Sequence, residues 1–252
     1  MITARALPGV PEVSPGDDLA ALLATARGVD GFAAGEVLVV AHKVVSKAEG
    51  RVVALSTVAP TPRALELAAA LGKDPRHVEV VLRESAEIVR AERGVLISRT
   101  HHGFVCANAG VDASNAASAD ELILLPADPD ASARALRAAL ARAGAGSPAV
   151  IIADSFGRAW RNGQCDVAVG IAGLAPLEDW RGRSDAHGRE LRATWIAIAD
   201  QAAAAADLAR GGKDAGEPAV VVTGLERHLL AAGDDGPGVG ALIRAREEDF
   251  FG

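Results

Sequence analysis

The densest polar stretch of the sequence is Asp154-Ser-Phe-Gly-Arg158-Ala-Trp-Arg161-Asn-Gly-Gln-Cys-Asp166. It follows the apolar run Pro148–Ala153, which reads as a buried strand, and strand ends often carry small-molecule sites. Asp154 and Ser155 offer hard oxygen donors suited to Mg or Mn. Arg158 and Arg161 offer fork-shaped donors for a phosphate or a carboxylate. A polar loop closed by ordinary ion pairs has the same composition. A second stretch, Ala107-Asn-Ala-Gly-Val-Asp112-Ala-Ser-Asn115, surrounds one carboxylate with small residues. Asp112 is there a second metal-ligand candidate, although a turn capped by Asp or Asn looks alike. The third, His42-Lys43-Val-Val-Ser-Lys47, follows a short apolar run and sets two ammonium groups near a strand end, either for phosphates or as a solvated face. Taken together, these residues suit phosphoryl chemistry with a divalent cation.

The elements that must position them are legible in outline. Glu36–His42, Pro148–Ala153 and Pro218–Val222 read as strands. Asp166–Leu174 reads as extended, and Gly94–Ser98 and Gly103–Ala109 as a strand pair. Thr61–Leu71 has a capping Thr, a first-turn Pro62 and a terminal Gly72, and so predicts a helix. Helices are also predicted over His77–Arg93 and Asp130–Ala143, and Leu191–Leu208 starts extended and ends as an Ala-rich helix. Ala116–Ser118 and Arg210–Glu217 read as exposed loops. The alternation is irregular, which predicts a mixed α+β fold rather than a regular doubly wound sheet.

Composition excludes several classes. The 252 residues are 50% hydrophobic and 23% charged, enough for an ordinary core. A net charge of −7 gives no global basic field for nucleic acid or anionic lipid. With no Tyr, five Phe and three Trp, stacking platforms for single strands are not expected. Cys106 and Cys165 cannot build a disulfide framework, which fits a reducing cytoplasm. No apolar run approaches the ~18 residues of a membrane helix, and the start of the chain lacks a signal-peptide pattern. P-loop, G-x-G-x-x-G, H-E-x-x-H and G-x-S-x-G motifs are absent.

Five strings together are specific. Lys43-Val-Val-Ser-Lys47-Ala-Glu-Gly50, the run from Gly103 to Asn115, Leu125-Pro-Ala-Asp-Pro-Asp130, Asp154-Ser-Phe-Gly-Arg158 and the run from Gly182 to Leu191 resemble the coenzyme F-420-0:L-glutamate ligase family, in matching order from about Leu7 to about Gly224. The resemblance implies a single module over residues 1–252, in the form without a nitroreductase-like domain. It implies an α+β fold of mixed, largely antiparallel sheets with flanking helices, two-lobed, forming an intertwined homodimer. The activity implied is GTP- and Mg- or Mn-dependent joining of L-glutamate to F-420-0 through an acyl phosphate, followed by a second glutamate in γ-linkage. A monovalent cation is a further candidate cofactor.

Carried over by position, the resemblance makes Asp112, Asp154 and Ser155 metal ligands. It makes Val10, Pro11, Glu12, Val13, His42, Lys43, Lys47 and Asn115 contacts for GTP, with Arg210, Gly211, Gly212 and Lys213 from a late loop. Arg158 and Arg161 are placed near phosphates or the substrate carboxylate by their chemistry alone. His42 stands where the family usually has Ser, Gln201 where it commonly has Glu, and Gly211-Gly-Lys-Asp214 lacks a Gln that binds metal in some members. Two other readings stand beside this one: a related ligase with another acceptor, and a nucleotide-binding module without catalysis.

Overall fold

The computed structural model describes residues 1–212 and 214–249. In chain order its strands and helices are β1 (Thr3–Ala6), α1 (Leu19–Arg27), β2 (Val37–Ala41), α2 (His42–Ala48), β3 (Val52–Ala54), α3 (Pro62–Leu71), α4 (Pro75–Arg83), β4 (Ser85–Glu92), β5 (Val95–Thr100), β6 (Val105–Ala107), β7 (Glu121–Ile123), α5 (Pro129–Arg142), β8 (Ala149–Arg158), β9 (Arg161–Ala172), β10 (Leu177–Asp179), β11 (Trp195–Ala197), α6 (Ile198–Ala209) and β12 (Ala219–Thr223).

The architecture is α+β, as expected. A five-stranded sheet has the order β1-β12-β2-β8-β9, antiparallel at every pair except the parallel β2–β8. Val37, Leu38, Val39 and Val40 of β2 are fully buried, so both faces of this strand are covered. A run of branched apolar residues without alternation has that consequence. Helices α5 and α6 both pack on β9, and α1 packs on α5.

Between α2 and α5 the chain builds a second body. It contains β4-β5-β6 and the pair β3–β7, all antiparallel, with α3 and α4 against them. Its core is separate: Leu67, Leu71, Val78, Val81, Leu96 and Leu122 belong to one buried cluster, and the large sheet belongs to another. Arg51 sits where the chain crosses between them. Its backbone carbonyl accepts from Leu124 N, and its guanidinium donates to Leu125 O at 3.0 Å and to Glu84 at 2.6 Å.

Helix α3 forms as its sequence predicts: the Thr61 hydroxyl accepts from Ala64 N, and Gly72 ends the helix in a left-handed conformation. The helix predicted over His77–Arg93 is half correct. It stops at Arg83, where the Ser85 hydroxyl bonds back to Val81 O, and the chain continues as β4. Arg93 and Gly94 both take positive φ and close a two-residue hairpin into β5. This is the turn chemistry that arginine–glycine between two alternating segments supplies. A second correction concerns Asp154–Asp166. The stretch is not a loop after a strand but the continuation of β8 into β9, a hairpin that turns at Ala159–Trp160. Helix α2, unassigned from the sequence, begins directly at the end of β2. Among the described residues no helix is long and apolar enough to cross a membrane.

Candidate active site

Four segments of the large sheet's body and one from the inserted body converge on a cavity of about 680 Å³. The first is the loop carrying Val10, Pro11 and Glu12 after β1. Helix α2 contributes His42, Lys43 and Lys47. The hairpin β8–β9 contributes Asp154, Ser155, Gln164 and Asp166, the last turn of α6 adds Asp207, and the chain after it adds Arg210, Gly212, Asp214 and Glu217. The inserted body supplies Asp112, Ser114 and Asn115.

Local structure explains each placement. Lys43 and Lys47 lie four residues apart on α2, so both project to one side. Lys47 Nζ donates to Glu12, and Lys43 Nζ pairs with Asp112 at 2.7 Å and also donates to Ser114. Asp112 follows a reversal in which Asn108, Ala109 and Gly110 all adopt positive φ. Left-handed backbone at non-glycine residues is held only by surrounding packing. Here Ala109 and Val111 are buried in the second core, and Asp112 pairs through its backbone with Ile123. At Gly110 a Cβ would lie 2.7 Å from the Leu125 side chain, so the approach requires glycine.

Asp112 accepts from Ser114 N at 2.7 Å and from the Ser114 hydroxyl at 2.8 Å. Burial pushes its carboxyl up, but the Lys43 ammonium and the Ser114 donors outweigh burial and hold it below the ordinary value. Asp154 lies on β8 with His42 Nε2 at 3.3 Å; His42 is buried, its Nδ1 3.4 Å from the Ser46 hydroxyl. Beneath this wall, burial and the Asp154 charge push the Cys106 thiol up to about 12.

Across the hairpin Ser155 faces Asp166, its register partner, and donates to it at 2.6 Å. Arg210 closes on the other carboxylate oxygen at 2.5 Å. Gly211 N donates to Glu217 at 2.8 Å, which folds the late loop back on itself.

Of the residues singled out from the sequence, Val10, Pro11, Glu12, His42, Lys43, Lys47, Asp112, Asn115, Asp154, Ser155, Arg210 and Gly212 meet at the cavity. Val13 does not line it; it is buried in the main core. Gly211 stands beside it. Arg158 and Arg161 are carried to the exposed hairpin tip, where Arg158 donates to Asn162 O. The reason is the extra length of β8 and β9, which moves both guanidinium groups away from Asp154. Lys213 lies outside the described residues, and Gln201 lines a separate cavity by α6 with Ile2 and His228. Asp166, Gln164 and Asp207 carry no assignment from the sequence, whereas Asp214 and Glu217 belong to the late loop Arg210–Glu217 that the resemblance brings to the nucleotide and metal. For Asp166 a signal existed: an acidic residue opening an apolar extended run, Asp166–Leu174, must point its side chain somewhere specific.

The described lining carries seven carboxylates against three Lys or Arg side chains. Among the described residues no three His, Cys, Asp or Glu side chains are grouped closely enough to hold a metal by themselves. The donors nonetheless suit Mg or Mn, which take one or two carboxylates and complete their shell with phosphate oxygens and water.

Comparison with known proteins gives the family. A family model described as F420-0:Gamma-glutamyl ligase matches residues 9–224. The chain belongs to the F420-0:gamma-glutamyl ligase family. A relative from Methanothermobacter thermautotrophicus, named coenzyme F420:L-glutamate ligase, is 45% identical over 247 residues and 96% of each chain. Relatives of the same name from Methanopyrus kandleri and Natronomonas pharaonis are each 46% identical, covering 95% and 98% of this chain and 93% of their own lengths. Membership in the F420-0:gamma-glutamyl ligase family extends through every segment that builds the cavity, from Val10 to Glu217.

Proposed function

We propose that the protein attaches L-glutamate to coenzyme F420-0 in an amide bond, using GTP and Mg or Mn, and then adds a second glutamate in γ-linkage. The names of the relatives support the acceptor and the amino acid. The observation that carries the nucleotide and the metal is the sign of the cavity. A triphosphate entering among seven carboxylates needs cations to neutralise it. Lys43, Lys47 and Arg210 supply part of that charge, and a divalent cation on Asp112, Asp154 and Ser155 would supply the rest as a Lewis acid.

A free carboxylate resists attack by an amine, because oxide is a poor leaving group. In the proposed course a carboxylate oxygen of F420-0 attacks the γ-phosphorus and the bond to GDP breaks. The α-amine of glutamate then attacks the acyl carbon, the C–O bond to phosphate breaks, and the amine loses a proton. Phosphoryl transfer of this kind depends on positioning and charge neutralisation more than on covalent catalysis. Lys47, held by Glu12, and Lys43, held by Asp112, are pre-positioned for phosphate oxygens. The reading includes one module, a homodimer and a cytoplasmic location without nucleic acid or membrane partners.

The test is phosphate release with GTP, Mn or Mg, L-glutamate and F420-0, leaving out one component at a time, with products weighed by mass spectrometry. Release that requires every component, with a gain of one or two glutamyl units, is expected. GTP binding with no product would overturn the acceptor assignment.

A further inference from the structure

Gly157 is a glycine without a structural reason to be one. It lies in β8 beyond Ala153, the last residue paired with β2, so the chain there is held only by its hairpin partner β9. A two-stranded ribbon of this kind gains from branched residues and loses from glycine. Gly157 does not take positive φ; Gly163 does, at 85°, beside the irregular register near the turn. A Cβ at Gly157 would meet nothing within 4 Å, so no neighbouring atom requires its absence. A bare strand position free of turn and contact is a place for close approach by another molecule.

The bare side is the cavity side. Gly157 follows Ser155 by two residues and faces Gln164 in register, as Ser155 faces Asp166. Ser155, Gln164 and Asp166 all line the cavity, and the Ser155–Asp166 hydrogen bond joins side chains on that same side. The opposite side is occupied: Phe156 meets Phe104 edge-on, with ring centroids 6.1 Å apart. The Gly157–Gln164 rung therefore stands about 7 Å farther along the ribbon than Ser155–Asp166, toward the hairpin tip. Both of its residues are exposed, and among the described residues the Gln164 amide has no hydrogen-bond partner.

The rung's chemistry distinguishes the three reactants of the function proposed above, on which this inference rests. It offers peptide groups and one neutral amide, with no charge of its own. GTP and free glutamate are short of neutral surface and rich in charge, and their counter-charges, Lys43, Lys47 and Arg210, stand at the other walls of the cavity. The acceptor alone must extend outward, because only its terminal carboxylate meets the phosphoryl group. We propose that Gly157 and Gln164 form an acceptor track. The part of the acceptor behind its reacting carboxylate lies flat on Gly157 and hydrogen-bonds to the Gln164 amide. An amide both donates and accepts, so one side chain can serve the acceptor before and after the first glutamate is joined.

Gly157→Val tests the track without changing any charge. Valine suits a strand and meets no atom here, so the melting temperature should not fall. F420-0 binding is measured by equilibrium dialysis with Mn2+ and a non-hydrolysable GTP analogue present. Gly157→Val should weaken F420-0 about tenfold or more, as misplaced methyl groups in a fitted site do. Analogue affinity should stay within about twofold, and in turnover the KM for F420-0 should rise while that for GTP holds. Gln164→Leu keeps the bulk and removes the amide, and should weaken F420-0 about three- to tenfold, the effect of one neutral hydrogen bond. Gly157→Ala should fall between the parent and Gly157→Val.

A folded Gly157→Val protein that binds F420-0 within twofold of the parent overturns the proposal. So does an equal loss of F420-0 and analogue, which is distortion of the whole cavity. If Gly157→Val does not fold, Gly157→Ala and Gln164→Leu decide by the same two affinities. A parent that binds the analogue but not F420-0 would overturn the acceptor assignment, and this inference with it. A parent that binds F420-0 without forming product would overturn the proposed reaction alone, and dialysis of the variants would still decide the track.

Discussion

Lys43 Nζ lies 2.7 Å from Asp112 Oδ2, joining α2, at the end of the central strand β2, to the turn that the inserted body presents. The pair explains why Asp112 stays ionised although half-buried: the ammonium and the Ser114 donors outweigh its burial. Under the proposed function, a cation reaching Asp112 would compete with Lys43 for this carboxylate.

Asp154→Asn should lower turnover by about 10²–10³-fold, the usual cost of removing one group that stabilises developing charge. Its melting temperature should stay within a few degrees of the parent, because Asp154 holds no buried partner by a strong bond. Steady-state phosphate release and a thermal melt decide this, and unchanged turnover would remove Asp154 from the site.

Lys47→Ala should raise the KM for GTP about tenfold while kcat at saturation changes less than about threefold, the signature of binding shared by ground and transition states. Lys47 is buried and fixed by Glu12 before any ligand arrives. A fall in kcat at constant KM would instead place its action in the transition state.

His42→Ser puts a small hydroxyl side chain at a fully enclosed position. The lost ring leaves a void, so a destabilisation of about 1–3 kcal/mol is expected. Turnover should remain within about threefold, because β8 still holds Asp154. A loss beyond a hundredfold in kcat/KM would give the imidazole a role at the carboxylate it faces.

The Cys106 thiol, raised from 9.0 to about 12 by burial and by Asp154, sets an alkaline limit. The folded protein holds this proton more tightly than the unfolded chain. Stability from this group is therefore complete below pH 9.0 and is lost between pH 9.0 and about 12. Melting temperature against pH should show that decline, flattened in Cys106→Ala. At pH 8, iodoacetamide should label part-exposed Cys165 and spare Cys106, as intact mass would report.

Gly110→Ala should destabilise by about 2–4 kcal/mol, combining positive φ with a Cβ driven into Leu125. It should also weaken Mn2+ binding, since Asp112 lies two residues on. Denaturant unfolding and the Mn2+ titration check the two effects separately.

Much of the site was legible because the residues that do charge chemistry occur in short strings: Lys43 with Lys47, Asp112 with Asn115, Asp154 with Ser155. Local signals with a mechanism also held, as at Thr61 and Gly72. What failed depended on lengths and directions that no short window contains. The extent of β8 and β9 sends Arg158 and Arg161 outward, and nothing within Asp154–Asp166 marks where the hairpin turns. The apolar residues of His77–Arg93 suit a helix in the first half and a strand in the second, and the switch at Ser85 is set by pairing with β5. Asp166 is not legible in a short window because its partners are Ser155 and Arg210, one across a hairpin and one from the far end of α6.

Asp112 and Asp154 are anchored beside two different hydrophobic cores, and the chain passes between those cores near Arg51, Phe104 and Leu124. A molecule grasped by both carboxylates is thus a keystone. A ligand held by both carboxylates would add its own tie to the Lys43–Asp112 pair that already spans the two bodies.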